Sequence, residues 1–169
     1  MTLVLFAESL WRVPFRFHRM GLVSPVLCVF IGVRLFGWRM GLAQGGLLML
    51  SLLMHEVGHM MAATALGVPV KEFGLCLKGA YIRREYATRR RDEIFIAAAG
   101  PLMNIFLMYP LMFLPNVGPE AGLNSLLLGV VNLIPFPSSD GLRIFRNLIN
   151  SVKARAPILP AAQVGPVLP

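Results

Sequence analysis

Charged residues are scarce in this 169-residue sequence, and that scarcity is its most informative feature. Only 14% of the residues are charged, whereas 56% are hydrophobic. Soluble domains carry about 25% charged and about 45–50% apolar residues. A soluble domain of this size buries only about 68–70% of its surface, which is too little to hide so much apolar material. The composition therefore excludes an ordinary soluble domain and favours an integral membrane protein.

Cysteine is nearly absent as well. The two cysteines, Cys28 and Cys76, lie in different segments, which excludes the disulfide framework of a small secreted protein. We interpret both as ordinary small apolar residues. The first ten residues have neither a positively charged start nor a small-residue cleavage site, so we expect the hydrophobic stretches to belong to the mature protein.

Acidic residues are half as numerous as basic ones, with 8 Asp and Glu against 16 Lys and Arg. A formal charge of +8 raises nucleic acid as a partner, but the sequence has no aromatic–basic recognition pattern and no nucleic-acid-binding motif. The basic residues instead lie in patches between apolar stretches, as in the loops of membrane proteins. We therefore expect the lipid bilayer, and no nucleic acid, as a partner.

Four stretches are apolar enough to form membrane spans, for which about 20 residues are needed. They are residues 22–38, 42–66, 94–114 and 121–135. The first stretch is an extra N-terminal helix that contains Arg34, whose charge has to reach the membrane interface or face protein. The predicted fold class is therefore an all-α integral membrane protein.

A basic segment with strand-like composition separates the second stretch from the third. Residues 68–77 and 80–86 predict a small β-hairpin, and residues 13–17 alternate apolar and basic side chains like another strand. Lys and Arg concentrate in the N-terminal segment, in the hairpin and after the last span, with Arg39 as the exception. By the positive-inside rule, both termini and the hairpin face the cytoplasm.

No internal repeat or appended soluble domain is evident in the sequence. Residues 1–155 are expected to form a single transmembrane domain. Residues 156–169 are rich in proline and cannot continue as a helix, so we expect them to form a flexible tail.

The segment HEVGH at residues 55–59 lies within the second apolar stretch. His55 and His59 are four residues apart and share one helical face, so both imidazoles can reach one metal ion. Glu56 then stands beside the metal-bound water as a general base. Such a motif also arises by chance, but ionisable side chains inside a lipid-soluble stretch indicate a functional site. The motif predicts a zinc-dependent hydrolase.

A catalytic zinc ion needs a third protein ligand and an open position. His18 is the spare histidine, but it lies in a basic N-terminal segment. Asp140 is better placed, because Pro135 and Pro137 break the helix before it and free its side chain to turn inward. Asp140 has a second, equally open role, as the N-cap of a helix over residues 141–152.

Three motifs together resemble those of the site-2 protease family of intramembrane zinc metalloproteases. They are HEVGH at 55–59, AAAGPLMN at 97–104 and NLIPFPSSDG at 132–141. Four residues satisfy the family pattern NxxPxxxxDG: Asn132, Pro135, Asp140 and Gly141. The sequence departs from the family at Ser138-Ser139, where Pro-Leu is common, and this leaves the key positions of the motif intact.

The resemblance implies a catalytic core of three transmembrane helices that holds one zinc ion with His55, His59 and Asp140. Glu56 is then the general base of the reaction. Asn132 is expected near the substrate or the oxyanion, and its alternative role is a hydrogen bond between helices, which is typical of Asn in membranes.

The remaining motif residues are expected to have structural roles. Gly100 permits close helix approach and Pro101 bends its span, while a packing role for Asn104 is favoured over a chemical one. Pro135 and Gly141 complete the structural part of the last motif.

The implied function is cleavage of a transmembrane or membrane-associated protein in regulated intramembrane proteolysis. The resemblance places the enzyme in a bacterial or archaeal cell membrane, with its active site towards the cytoplasm and room for a regulatory partner. The hairpin has two open roles: its edge holds the unwound substrate, or its charges only fix the topology. The alternative is a non-enzymatic metal-binding membrane protein or a transporter component, which has no need of Glu56 as a base.

Overall fold

The computed structural model describes residues 13–17, 21–76 and 79–155, which form four helices and three strands. In chain order these are β1 (Phe15–Phe17), α1 (Val23–Ala65), β2 (Val70–Cys76), β3 (Gly79–Arg84), α2 (Arg90–Met112), α3 (Gly118–Leu133) and α4 (Asp140–Arg155). His18 and the predicted tail at 156–169 lie outside the described residues. The chain is therefore mostly helical with a small sheet.

Helix α1 folds back on itself at Gly37. This residue has φ 75° and ψ 169°, a backbone conformation that residues with a Cβ rarely adopt. The first arm, residues 23–36, consequently lies antiparallel to the second arm, residues 38–65. Glycines allow the contact, because a Cβ on Gly32 or Gly45 would collide with the backbone of the opposite arm.

The first arm of α1 lies alongside only part of the second. Near its start, the Ser24 hydroxyl donates to Met49 Sδ at 4.0 Å, so residues beyond about 50 extend past the first arm. That part of α1 packs against α2 and the sheet. The two arms correspond to the predicted stretches 22–38 and 42–66.

Helices α2 and α3 pack as an antiparallel pair. The Ser125 hydroxyl of α3 donates to the backbone oxygen of Asn104 in α2 at 3.0 Å. Gly129 lies so close to α2 that a Cβ there would stand 2.7 Å from the oxygen of Pro101. Small residues thus bring the two backbones together. Helix α3 ends shortly before Pro135, because the residue that precedes a proline disfavours helical geometry.

The three strands form one sheet in the order β1-β2-β3. Strand β1 pairs with β2 in parallel, and β2 pairs with β3 in the antiparallel sense. The Glu72 carboxylate of the central strand is buried; it accepts a hydrogen bond from the Tyr81 hydroxyl at 3.1 Å and lies 3.3 Å from Arg16 Nε. Within the described part of the chain, β2 has both edges paired, whereas β3 keeps one edge free.

A buried ion pair joins the sheet to α2. Both Nη atoms of Arg84, at the end of β3, donate to the Glu93 carboxylate at 2.9 and 2.6 Å. The backbone N–H of Ala87 adds a third hydrogen bond to Glu93, at 2.9 Å. The side chains of Arg84 and Glu93 are each only 8% exposed. This pair fixes where the sheet meets the first turn of α2.

Two of the described helices, α1 and α2, are long and apolar enough to cross a membrane. Many of their large apolar side chains are exposed, including Phe30, Leu35, Phe95 and Phe106. A lipid-facing surface explains this exposure, since soluble monomers rarely expose large contiguous apolar patches. Helix α2 begins four residues before the predicted stretch 94–114, and α3 begins three residues before the predicted stretch 121–135.

Candidate metal centre

His55 and His59 project from one face of α1 towards α2. Both histidines are buried, at 6% and 4% exposure. Gly58, on the same face, lies against α2 so closely that a Cβ would stand 2.6 Å from the oxygen of Ala99. The HEVGH spacing thus supplies two side chains on one face, and its glycine lets that face reach the neighbouring helix.

Asp140, the first residue of α4, joins the two histidines. Its Oδ2 lies 3.0 Å from His55 Nε2 and 3.1 Å from His59 Nε2, and the two Nε2 atoms are 3.1 Å apart. Among the described residues, these three form the group of His, Cys, Asp and Glu side chains that could hold a metal ion. The structure therefore brings together the three residues that the sequence motifs predict as ligands.

The geometry of this triangle fits a zinc ion. Ligand atoms bound to one tetrahedral zinc at about 2.0–2.2 Å lie about 3.3–3.6 Å from one another, a few tenths of an ångström more than the separations of 3.0–3.1 Å between these atoms. Two imidazoles and a carboxylate are ligands that zinc prefers, and three protein ligands leave a fourth position open for water or substrate. The residues present thus fit a catalytic zinc site.

The second nitrogen of His59 fixes the state of its ring. Its Nδ1 lies 2.7 Å from the backbone oxygen of Ile96 in α2, so Nδ1 carries the proton and donates it. In the neutral ring, the lone pair of His59 Nε2 is then directed at His55 Nε2 and Asp140 Oδ2. A carbonyl partner of this kind is typical of metal-binding histidines.

Gly100 lies directly over the two imidazole rings. A Cβ at this position would collide with His59 Nε2 and stand 2.8 Å from His55 Nε2. Its predicted role in helix packing is therefore incomplete, because the missing side chain leaves space at the ligand atoms themselves.

The loop before α4 is organised by Ser139, which is 2% exposed. The Ser139 hydroxyl accepts hydrogen bonds from the backbone N–H groups of Phe136 and Leu142, each at 3.1 Å. It also lies 2.7 Å from the backbone oxygen of Ile134. The bond to Leu142 makes Ser139 the N-cap of α4. The alternative of Asp140 as the N-cap is thus wrong: Asp140 is the first helical residue, and its carboxylate faces the histidines.

The charge of Asp140 is stabilised by its surroundings. Burial alone raises the pKa of its carboxyl, but the hydrogen bonds with His55 and His59 outweigh burial and hold the pKa below its ordinary value. Arg143 Nη1 lies 3.7 Å from the other carboxylate oxygen, Oδ1. The carboxylate is the form that binds a metal ion, so this environment favours the ligand state.

Glu56 follows His55 directly and is half-buried. It lies near enough to His55, His59 and Asp140 to interact with them electrostatically, while the ligand triangle leaves its carboxylate out. A carboxylate that lies beside a metal site without binding the metal is suited to proton transfer.

Asn132 lies at the end of α3 and is half-buried. Its side-chain Nδ2 donates to the oxygen of Leu128 in the same helix at 2.9 Å. This hydrogen bond lies within α3, so it is not the hydrogen bond between helices that was the alternative role for Asn132. A role towards the substrate remains a prediction.

Sequence reasoning missed three features of the site. Asn104, expected only to pack, lies 3.2 Å from His55 through its amide nitrogen. Ser139 stands out in the sequence only as a departure from the family, although a serine directly before a helix is a strong N-cap signal. No local sequence pattern indicates the pairing of Arg84 with Glu93, because this ion pair depends on how the sheet packs against α2.

Comparisons with known proteins agree with this geometry. The model of peptidase family M50 matches residues 46–119, which include HEVGH and the AAAGPLMN motif. A candidate zinc metalloprotease from Synechocystis sp., sll0528, is 30% identical in an alignment of 141 positions that covers 76% of this chain and 37% of that protein. The chain thus spans little more than a third of the length of this relative.

A solved structure shares the fold. The site-2 protease from Methanocaldococcus jannaschii superposes with a TM-score of 0.65 and 24% sequence identity. The match covers 82% of this chain and 68% of that chain.

The fold and the donor set define a predominantly helical protein with a His-His-Asp group that could hold a metal ion. The family match over residues 46–119 and the two similar proteins support the site-2 protease family, peptidase family M50. The resemblance carried by the three sequence motifs is confirmed.

Proposed function

We propose that this chain is the catalytic core of an intramembrane zinc endopeptidase. The observation that carries the proposal is the triangle of His55 Nε2, His59 Nε2 and Asp140 Oδ2, with separations of 3.0–3.1 Å, on an apolar helix. Bound zinc would supply a Lewis acid for the scissile carbonyl and a coordinated water of lowered pKa. Glu56 takes the proton from the attacking water and passes it to the leaving amine.

The proposed membrane arrangement follows from the packing. The second arm of α1, α2 and α3 form the three-helix catalytic core, and the first arm is the additional N-terminal helix. His59 lies six residues, or about 9 Å of helix, before the end of α1. The sheet follows that end and is rich in Lys and Arg, so we place the sheet and the nearer metal site on the cytoplasmic side of a bacterial or archaeal cell membrane.

The substrate we propose is a transmembrane or membrane-associated protein that binds along β3. A cavity of about 150 Å³ lies beside this strand, lined by residues 82–86 and by Arg143. Arg143 also contacts Asp140, so the cavity adjoins the metal site. An unwound segment can pair with the free edge of β3 through its backbone, because an extended peptide readily adds to an exposed sheet edge. Such an enzyme would act in regulated intramembrane proteolysis, under the control of a partner.

The base is tested by Glu56→Gln with a membrane-anchored model substrate in lipid nanodiscs. We expect cleavage to fall by about 10²–10⁴-fold, the usual contribution of a general base, while the zinc content stays at one ion per chain. Glu120→Gln, in the exposed first turn of α3, is the matched control and is expected to cleave normally. Unchanged cleavage by Glu56→Gln would contradict the proposed mechanism, and zinc retained with cleavage lost would exclude a non-enzymatic metal carrier.

The substrate edge is tested by two proline variants, Ile82→Pro and Arg83→Pro. Neighbouring residues of a strand direct their N–H groups to opposite edges, so one variant breaks the pairing with β2 and the other alters only the free edge. The variant that keeps its fold is expected to raise KM for the membrane substrate at least tenfold. An unchanged KM would show that the hairpin only fixes the topology.

A further inference from the structure

Asn104 occupies a fully buried position between three helices. Its side chain has no exposed surface, and its backbone oxygen accepts the Ser125 hydroxyl of α3 at 3.0 Å. Its amide nitrogen lies 3.2 Å from Nδ1 of His55 in α1. The amide group is therefore held against the ring nitrogen that faces away from the metal site.

The protonation of that nitrogen decides whether His55 can bind a metal ion. A neutral imidazole carries one proton, and Nε2 is a ligand only when the proton is on Nδ1. The group opposite Nδ1 must then accept a hydrogen bond. An amide nitrogen facing Nδ1 does the reverse, because it donates and so favours a proton on Nε2.

The other end of the amide is unsatisfied. Asn104 Oδ1 is buried and has no hydrogen-bond partner among the described residues. A half-turn of the amide exchanges its oxygen and nitrogen while the group keeps nearly the same shape. That half-turn gives Oδ1 a donor, and it leaves the lone pair of His55 Nε2 directed at Asp140 and His59.

We propose that Asn104 is a positioning residue for the metal centre, with its Oδ1 accepting a hydrogen bond from His55 Nδ1. The arrangement matches that of His59, whose Nδ1 donates to the oxygen of Ile96 on the same helix. Helix α2 thus orients both histidines, one through a side chain and the other through the backbone. This inference rests on the proposed zinc site and adds a fourth residue to it.

The test measures zinc affinity by chelator competition on the purified chain in detergent, with three variants. Asn104→Leu keeps the approximate volume and removes the acceptor, so its zinc dissociation constant is expected to rise by about 10–100-fold, the usual effect of losing such a partner. Asn104→Asp keeps an acceptor oxygen and is expected to stay within about threefold of the wild type. The control is Ser51→Ala, which removes a hydroxyl of α1 that is also buried and has no partner among the described residues. This variant should bind zinc as tightly as the wild type.

A role in packing alone predicts the opposite order. Leucine would then preserve zinc affinity, and the buried charge of aspartate would weaken it; this result would overturn the inference. If Asn104→Leu does not fold, Asn104→Asp decides alone, because a tenfold loss of affinity in the folded protein also overturns it. Wild-type protein that bound no zinc would refute the proposed metal centre as a whole, whereas normal binding by both wild type and Asn104→Leu would refute this inference only.

Discussion

The Ser139 hydroxyl accepts the backbone N–H of Leu142 at 3.1 Å and so caps the helix whose first residue is Asp140. The same hydroxyl also bonds to the backbone of Phe136 and Ile134, which precede the turn at residues 137–138. The direction of the Asp140 carboxylate therefore depends on a neighbouring residue that does not touch the metal site.

Replacing Ser139 by alanine is expected to loosen this turn. The loss of an N-cap destabilises a helix by about 0.5–2 kcal/mol, and the N–H groups of Phe136 and Leu142 lose the acceptor of two part-buried hydrogen bonds. We expect a lower melting temperature and a zinc dissociation constant raised by about tenfold, measured by thermal unfolding and by chelator competition.

Ser138→Gly is the control for Ser139→Ala. Ser138 is exposed and has φ 74°, which glycine adopts more easily than serine. This variant also removes a hydroxyl from the loop, but it should keep both zinc affinity and stability. Equal zinc affinities for Ser139→Ala and the wild type would show that the loop holds Asp140 by other means.

Gly100→Ala is expected to abolish the metal site. Its new methyl group would collide with the ring of His59, and the backbone of α2 cannot retreat while α3 packs on its other side. We expect cleavage to fall by at least 10²-fold, since displacing the reacting groups by about 1 Å has that effect. Zinc content measured beside cleavage should fall as well.

Gly46→Ala is the matched helical control, since no atom of the described residues lies within 4 Å of the position that its Cβ would take. An alanine in an open helical position stabilises the helix by about 0.5–1 kcal/mol relative to glycine. Loss of zinc in both variants would indicate a general effect on helix packing and not the predicted collision.

Glu93→Gln is expected to destabilise the junction of the sheet and α2. It removes one charge of a buried pair and leaves the Arg84 guanidinium uncompensated, which costs about 3–5 kcal/mol. Thermal unfolding in detergent measures the effect, and proteolysis in β3 should accelerate because the strand loses its anchor.

The contrasting pair is Lys71 with Glu85, which is 3.0 Å apart and exposed. Exposed pairs contribute about 0–1 kcal/mol, so Glu85→Gln should melt close to the wild type. A similar loss of stability in the two glutamine variants would refute the distinction between the buried and the exposed pair.

The sequence could predict the features that depend only on residues close to one another along the chain. Hydropathy located the helices within a few residues, and the spacing of His55 and His59 placed both on one helical face. The choice of Asp140 over His18 followed from the proline-broken segment before it. These predictions needed no knowledge of which helices become neighbours.

The features that were missed depend on those neighbours. The predicted stretches 22–38 and 42–66 already require the chain to reverse between them, but the sequence does not show that the reversal occurs at Gly37 or that glycines of the two arms meet. Packing is the natural expectation for Asn104, because the sequence does not show that its side of α2 meets His55. The substrate edge of the sheet likewise depends on β1, whose pairing with β2 leaves only β3 with an unpaired edge on that side among the described strands.

The unequal arms of α1 give the metal centre an asymmetric approach. The shorter arm shields the longer one by helix-to-helix contact only as far as about residue 50, and the histidines lie beyond that shield. Beyond the shorter arm, α1 packs against the sheet as well as against α2. Under the proposed function, a helical substrate that arrived there would meet a strand edge able to replace the hydrogen bonds that it gives up on unwinding.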